Sequence, residues 1–348
     1  MGAPVDENEE VDSADEALLE LLGLSSLDAV KGDDDENDDR EVATNSDPQD
    51  QLLALDAREF ENVSWTELIT EYHSTGICVV PSSLHVPSEL MRRMTDELVW
   101  GGNTVQADKT YETIKVWKQG ELQERRTLTR LENFVDYHDG WKSLCHGYLR
   151  RVISALLGEE MVLFKEKLNL KPPGGSGFAP HLDGPSLRVA LEEGPTKFVT
   201  VMVAIDNMTS QNGCLRVCKG AWSEASHCPV VEPEEDGNPD AGGRAGAIPS
   251  DVAETMDFED IGCPGGAIAA FSDWAPHRSA ANQSPFSRRA VFLTYNPASQ
   301  GDFHAAYYQK MQALRDEWKT RIGLDHNRTQ WEQDQQNDLA GLATIPRI

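Results

Sequence analysis

After residue 160 the chain stops repeating its apolar residues every three or four positions and begins repeating them every two. That change of period constrains the fold more than any single motif, because a helix surface and a pleated strand require different spacings. Before it, "VSWTELITEYHSTG" reads as a helix stopped by Gly76, with a short strand at 77–80. "SELMRRMTDELVWG" and "GWKSLCHGYLRRVISALLG" read as two further helices, closed by Gly101 and Gly158. After it, "MVLFKEKLNL" alternates and "KFVTVMVAID" is a β-branched run. "GCLRVCKG", "GGAIAAFS" and "RRAVFLTYNP" complete a set of short strands between Gly, Pro and Asn turns. "AAYYQKMQALRDEWKTRIG" returns to helical spacing. The pattern predicts an α+β, mainly β chain: a jelly roll (double-stranded β-helix) core with flanking helices.

Charge divides the chain further. The formal net charge is −28, and residues 1–50 hold eighteen Asp or Glu against two basic residues. "KGDDDENDDRE" repels itself and has no apolar neighbour to bury, so residues 1–55 are expected to form a disordered acidic tail. Within it, "DEALLELLGLSSLDAV" fits a transient amphipathic helix. Residues 56–325 are expected to form one domain, followed by a polar C-terminal tail at 326–348. Such acidity excludes nucleic acid and anionic membrane as main partners, since both need clustered Lys and Arg. No apolar run approaches the ~20 residues of a membrane span, and no basic segment precedes an apolar one as in a secretory signal. A cytoplasmic protein with a small-molecule substrate is the expectation; the sequence carries no signal for oligomeric state. The six cysteines form no CxxC pair. Cys214, Cys218, His227 and Cys228 match no zinc framework, so free thiols are expected. The Gly-, Pro- and acid-rich stretch 223–260 reads as a long excursion, either a lid or disordered.

"PHLDGPS" holds His181 and Asp183 two residues apart. In a strand, i and i+2 point the same way, so both can reach one point while Leu182 faces away. Alone, such a pair occurs by chance in many proteins. A third ligand is available in His277, in "FSDWAPHRSAANQS", because a jelly roll brings distant strands side by side. Two histidines and one carboxylate on one face leave positions open, the facial triad of non-haem Fe(II) oxygenases. Eleven residues after His277, Arg288 opens the strand "RRAVFLTY". A buried guanidinium offers a carboxylate a bidentate, charge-assisted bond worth roughly 1.5–3 kcal/mol. Strand alternation turns one of Arg288 and Arg289 inward and the other outward.

"KLNLKPPGGSGFAPHLDGPS", "TVMVAIDNMTSQNGCLRVCKGAW", "PGGAIAAFSDWAPHRSAANQS" and "RRAVFLTYNPAS" together resemble the phytanoyl-CoA dioxygenase family of iron- and 2-oxoglutarate-dependent oxygenases. The likeness runs over about 60–310, in order. It implies that His181, Asp183 and His277 bind Fe(II), and that Arg288, helped by Ser279, clamps the distal carboxylate of 2-oxoglutarate. Arg130, Lys167 and Met202 fall at further cosubstrate positions. Family members often carry Gln between the first two ligands, where this chain has Leu182. Retention of Asp183 implies hydroxylation of a C–H bond with O2, releasing succinate and CO2, rather than halogenation. "LTYNPASQGDFHAAYY" resembles members that hydroxylate small aminophosphonates, so a small polar or zwitterionic metabolite is the expected substrate. Two other readings stay open: an inactive jelly-roll sensor, and a cupin-like metalloenzyme that does not use 2-oxoglutarate.

Overall fold

Two antiparallel sheets carry the fold, in a computed structural model that describes residues 47–100, 107–118, 121–188, 190–231 and 246–321. The chain begins with helices α1 (Pro48–Asp56) and α2 (Trp65–Thr75), strand β1 (Ile77–Val79) and helix α3 (Ser88–Trp100). A long hairpin follows, β2 (Asp108–Lys118) and β3 (Glu121–Glu132). Helices α4 (Asp139–Ser143) and α5 (Leu149–Leu157) are joined by a π-helical turn at Leu144–Tyr148. Then come β4 (Met161–Lys171), β5 (Phe178–His181), the short helix α6 (Gly184–Arg188), β6 (Val199–Ala204) and β7 (Leu215–Val217). Helix α7 (Ser250–Ala253), β8 (Glu259–Ile261), β9 (Ile268–Ser272), β10 (His277–Ser279), β11 (Arg288–Pro297) and helix α8 (His304–Arg321) complete the described chain.

The larger sheet has the order β1-β9-β6-β11-β4-β3-β2 and the smaller β5-β10-β7-β8, the arrangement of a jelly roll. Strand β6 shows how the layers stack, because every one of its residues is buried. Val199, Val201 and Val203 join the main core, with the fully buried Leu149, Val152, Ile153 and Leu156 of α5. Met202 and Ala204, pointing the other way, join a second cluster with Leu215 and Val217 of the smaller sheet. Helices therefore cover one face of the larger sheet and the smaller sheet covers the other. Each fully buried aliphatic side chain contributes about 1.5–3 kcal/mol relative to exposure.

One irregularity decides what faces the space between the sheets. Along β4 and β11, Lys165 pairs with Thr294 but Leu163 pairs with Tyr295, which leaves Phe164 as an extra residue. Before this bulge, Met161 and Leu163 point into the helix-covered core. After it, Leu168 and Leu170 take that face, and the odd-numbered Lys165, Lys167 and Asn169 turn towards the smaller sheet and line a cavity there. A bulge re-aims side chains in this way.

Two sequence expectations change. Residues 1–46 of the expected acidic tail lie outside the described residues, but 48–55 are helical rather than disordered. Asp47 caps α1 by accepting the Gln49 N–H at 2.9 Å, Pro48 opens it, and Leu52 and Leu55 are buried against the core. The tail 326–348 lies outside the described residues. The β2–β3 hairpin was absent from the sequence reading; it pairs from Asp108↔Glu132 to Lys118↔Glu121, and its charged residues masked an otherwise strand-like alternation. No helix among the described residues is long and apolar enough to cross a membrane.

Candidate metal centre and its cavity

His181 ends β5 and His277 begins β10, and these strands pair with the two histidines directly opposite each other. Their ring centroids lie 4.1 Å apart. Asp183 arrives differently from the strand alternation expected, since β5 stops at His181 and Asp183 sits in the bend that enters α6. Gly184 permits that bend, because a Cβ there would press on the Arg188 guanidinium and the Asp273 carboxylate. The Thr200 hydroxyl on β6 then fixes the carboxylate, donating to Asp183 Oδ2 at 2.7 Å. Asp183 oxygens lie 3.9 Å from Nε2 of His181 and 3.9 Å from Nε2 of His277. One donor atom from each of the three residues lies within 4.8 Å of the others, the one such His/Cys/Asp/Glu group among the described residues. Leu182 points away into a separate apolar cluster with Ile248 and Ala253.

The donor set fits a divalent transition metal. His181 Nδ1 lies 2.7 Å from the Ala179 carbonyl oxygen, and His277 Nδ1 lies 3.0 Å from that of Ala275. A carbonyl only accepts, so each Nδ1 carries a proton and each Nε2 is the ring nitrogen left to serve as a ligand. Burial and the neighbouring His277 imidazole push His181 down to about 3, which keeps it neutral at ordinary pH. Burial alone would raise the Asp183 carboxyl, but His277 and His181, with Lys165 and Lys167 behind them, hold it well below the usual range. Two imidazoles and one carboxylate are a donor set that suits Fe(II).

The cavity between the sheets is also lined by Arg288 and Ser279. Arg288 is only 3% exposed, and its Nη2 donates to the Gly213 carbonyl. Its Nε is buried without a protein partner, a donor suited to an anion. Arg289 turns outward onto Asp206, with hydrogen bonds of 2.8 and 3.0 Å. Lys171, opposite Arg288 on β4, donates to Ser279 Oγ at 2.9 Å, the Ala280 carbonyl at 2.7 Å and the Gly213 carbonyl at 3.3 Å. Burial and the adjacent Arg288 push Lys171 down to about 7. Ser279 Oγ also accepts the Phe178 N–H at 3.2 Å, so its own hydrogen remains for a group in the cavity.

The other residues taken from the resemblance divide. Lys167 lines the cavity. Met202 does not: it is fully buried in the apolar cluster between the sheets, opposite Phe292 and Ala269 in register. Arg130 is not among the lining residues; it pairs in register with Asn169, which is, and lies 3.3 Å from Glu132 with its guanidinium 5.2 Å from the Phe178 ring centroid. Both nevertheless share a sheet face with lining residues, Met202 with Thr200 on β6 and Arg130 with its register partner Asn169 on β4. Lys165, Lys171 and Thr200 were missed. Only the β4 alternation beyond the Phe164 bulge could have revealed the two lysines.

Comparison with known proteins agrees with this geometry. The family model for phytanoyl-CoA dioxygenase (PhyH) matches residues 72–290, a stretch that contains His181, Asp183, His277 and Arg288. A 2-aminoethylphosphonate dioxygenase from an uncultured bacterium is 38% identical over 185 residues, 53% of this chain and 64% of that protein. A methylphosphonate hydroxylase from Gimesia maris is 32% identical over 180 residues, 51% of this chain and 62% of that protein. The chain thus matches just under two-thirds of the length of these relatives. The crystal structure of EctD from S. alaskensis with 2-oxoglutarate and 5-hydroxyectoine shares the fold, with a TM-score of 0.50 at 20% identity, covering 71% of this chain and 81% of that one. On the family match, which takes in most of the chain, the protein belongs to the phytanoyl-CoA dioxygenase family.

Proposed function

We propose that the protein is an Fe(II)- and 2-oxoglutarate-dependent dioxygenase that hydroxylates a C–H bond of a small polar metabolite. The observation that carries this reading is one cavity holding both a His-Asp-His donor set and a buried guanidinium with an unpaired Nε. His181, Asp183 and His277 would hold the metal. Arg288 would bind the distal carboxylate of 2-oxoglutarate, with the Ser279 hydroxyl as a second donor. When bound, Fe(II) supplies activation of O2 at the expense of the cosubstrate, which leaves as succinate and CO2. The chain's own residues orient and exclude. The Nδ1–H bonds to Ala179 and Ala275 keep both imidazoles aimed, and Thr200 holds the carboxylate. Phe178, Leu215 and Phe292 narrow the cavity and limit water beside the reacting bond.

A cupin-like enzyme without 2-oxoglutarate would give Arg288 and Ser279 no anion to hold. The substrate reading draws on the phosphonate-directed relatives, and an organophosphonate is the compound class to try first. Anaerobic addition of Fe(II) and 2-oxoglutarate should produce a metal-to-ligand charge-transfer band that Arg288→Ala loses. Succinate release stimulated by an organophosphonate then separates an enzyme from an inactive binding protein. Absence of the band in the wild-type chain overturns the reading.

A further inference from the structure

Lys171 is buried with its hydrogen-bonding capacity fully committed. It is 4% exposed and stands opposite Arg288 across the β4–β11 ladder. An ammonium has three N–H donors. Those of Lys171 go to Ser279 Oγ at 2.9 Å, the Ala280 carbonyl at 2.7 Å and the Gly213 carbonyl at 3.3 Å. Lys171 therefore has no donor of its own left for the cavity, and it is not among the residues that line it. Whatever it does for a ligand there, it does through Ser279, which does line the cavity.

A serine hydroxyl has one hydrogen to give and two lone pairs to receive with. Both receiving positions of Ser279 Oγ are taken, one by the Lys171 ammonium and the other by the Phe178 backbone N–H at 3.2 Å. Its hydrogen is left for an acceptor in the cavity, where the buried Nε of Arg288 also stands without a protein partner. A neutral lysine reverses this arrangement. An amine has two N–H groups and a lone pair, so the Ser279 hydrogen can turn onto Nζ and leave the cavity.

We infer that Lys171 is a positioning residue for the cosubstrate, fixing the Ser279 hydroxyl as a hydrogen-bond donor to the carboxylate that Arg288 receives. The charged groups around Lys171 set when that hold operates. Burial, and then Arg288 on β11, push it down to about 7, against Glu112 on β2 and Cys214 just ahead of β7, which raise it. Arg130 on β3 shares the Phe178 ring with it, the guanidinium 5.2 Å and the ammonium 5.6 Å from the ring centroid. Below about pH 7 the lysine is charged and the hydroxyl directed; above it both are lost. A bound carboxylate favours the ammonium, so affinity is highest at low pH and falls as pH rises through the value of the free protein. The inference rests on the dioxygenase reading only for the identity of the carboxylate.

The test is calorimetric titration of the full-length chain with 2-oxoglutarate in the presence of Co(II), and with glutarate without metal, at about pH 6 and about pH 8.5, on either side of the Lys171 value. Glutarate keeps the distal carboxylate and lacks the keto group that a metal would chelate. Wild-type affinity for both ligands should fall roughly tenfold across that interval. Ser279→Ala should weaken binding roughly tenfold at the lower pH and remove most of the fall. Lys171→Met should do the same, and combining it with Ser279→Ala should cost little more, because the pair acts as one unit. Ser279→Ala keeps Lys171 in place, so its pH profile decides the matter even if the Met variant fails to fold. Additive losses in the double variant overturn the inference, as does a wild-type affinity indifferent to pH or a full fall retained in Ser279→Ala. If 2-oxoglutarate does not bind with Co(II) but glutarate shows both the fall and the coupling, the dioxygenase reading fails and the positioning role stands. If neither ligand binds at either pH, both fail.

Discussion

Thr200 on the larger sheet donates a 2.7 Å hydrogen bond to Asp183, the carboxylate that follows β5 of the smaller sheet. The two sheets are therefore joined at the candidate metal centre by a polar contact as well as by apolar packing. Removing such a support typically costs 10–100-fold in metal affinity. Thr200→Val keeps the side-chain shape and should weaken Co(II) binding by about that factor, while Thr200→Ser should restore it. Equal Co(II) affinity in Thr200→Val and wild type would show that the turn into α6 alone orients the carboxylate.

Gly213 presents its carbonyl to both Arg288 and Lys171, and it does so at φ +70°, in the left-handed region. A Cβ there would collide with the Ala280 carbonyl oxygen and press on the Lys171 ammonium. Gly213→Ala should therefore cost about 1–3 kcal/mol of stability and loosen the cosubstrate clamp. Its signature is weaker 2-oxoglutarate binding with Co(II) affinity retained. Loss of both affinities together would point to general misfolding instead.

Glu132 ties stability to acid pH. Burial pushes its carboxyl up, but Lys167, Arg130, Lys165 and Arg315 outweigh burial and hold it at about 2, below its ordinary 4.5. A depressed carboxyl contributes stability that is fully present above the unfolded value and is lost as pH falls through the native one. The unfolding free energy of wild type should therefore decline between about pH 4.5 and pH 2 through this group. Glu132→Gln leaves the cations without their carboxylate and should cost roughly 3–5 kcal/mol at neutral pH. Chemical denaturation across that pH range should give a flatter acid limb in the variant; parallel limbs would assign the acid sensitivity to other carboxyls.

His304 works in the opposite direction. Its Nε2 lies 2.7 Å from Glu166 Oε2, and the same carboxylate accepts the Phe134 and Val135 backbone N–H groups. Burial lowers the affinity of His304 for its proton, but the Glu166 hydrogen bond and charge outweigh burial and raise it above 6.5. A raised histidine contributes stability that is fully present below 6.5 and fades as pH rises through the native value. Since His304 opens α8, the attachment of that helix to β4 should weaken from neutral pH upward. Hydrogen exchange of α8 amides, corrected for intrinsic rates, should rise with pH in wild type and lose that extra dependence in His304→Gln.

The sequence pointed to the three candidate donors and left much of the cavity wall hidden, for physical reasons. His181, Asp183 and His277 stand out because few residue types bind metals, although Asp183 reaches the group from a bend rather than from the strand. Arg288 and Arg289 were correctly expected to diverge, since an uninterrupted strand allows one of two neighbours to face inward. β4 defeated the same logic, because the residue that changes its phase, Phe164, is an ordinary apolar residue whose bulge exists only relative to β11. Strict alternation would have put Lys165 on the same face as Leu163, among the helices. Met202 lies on the same face of β6 as Thr200, and nothing in the sequence says how far along that face the cavity extends.

Leu182 lies between the first two donors, yet its neighbours are Ile248 and Ala253, and its backbone N–H donates to the Gly246 carbonyl at 2.8 Å. Ile248 returns the contact, donating to Pro180 at 3.0 Å. The middle position of the motif thus works as a hinge pin for segment 246–256, and its side chain is chosen by what that segment brings to it.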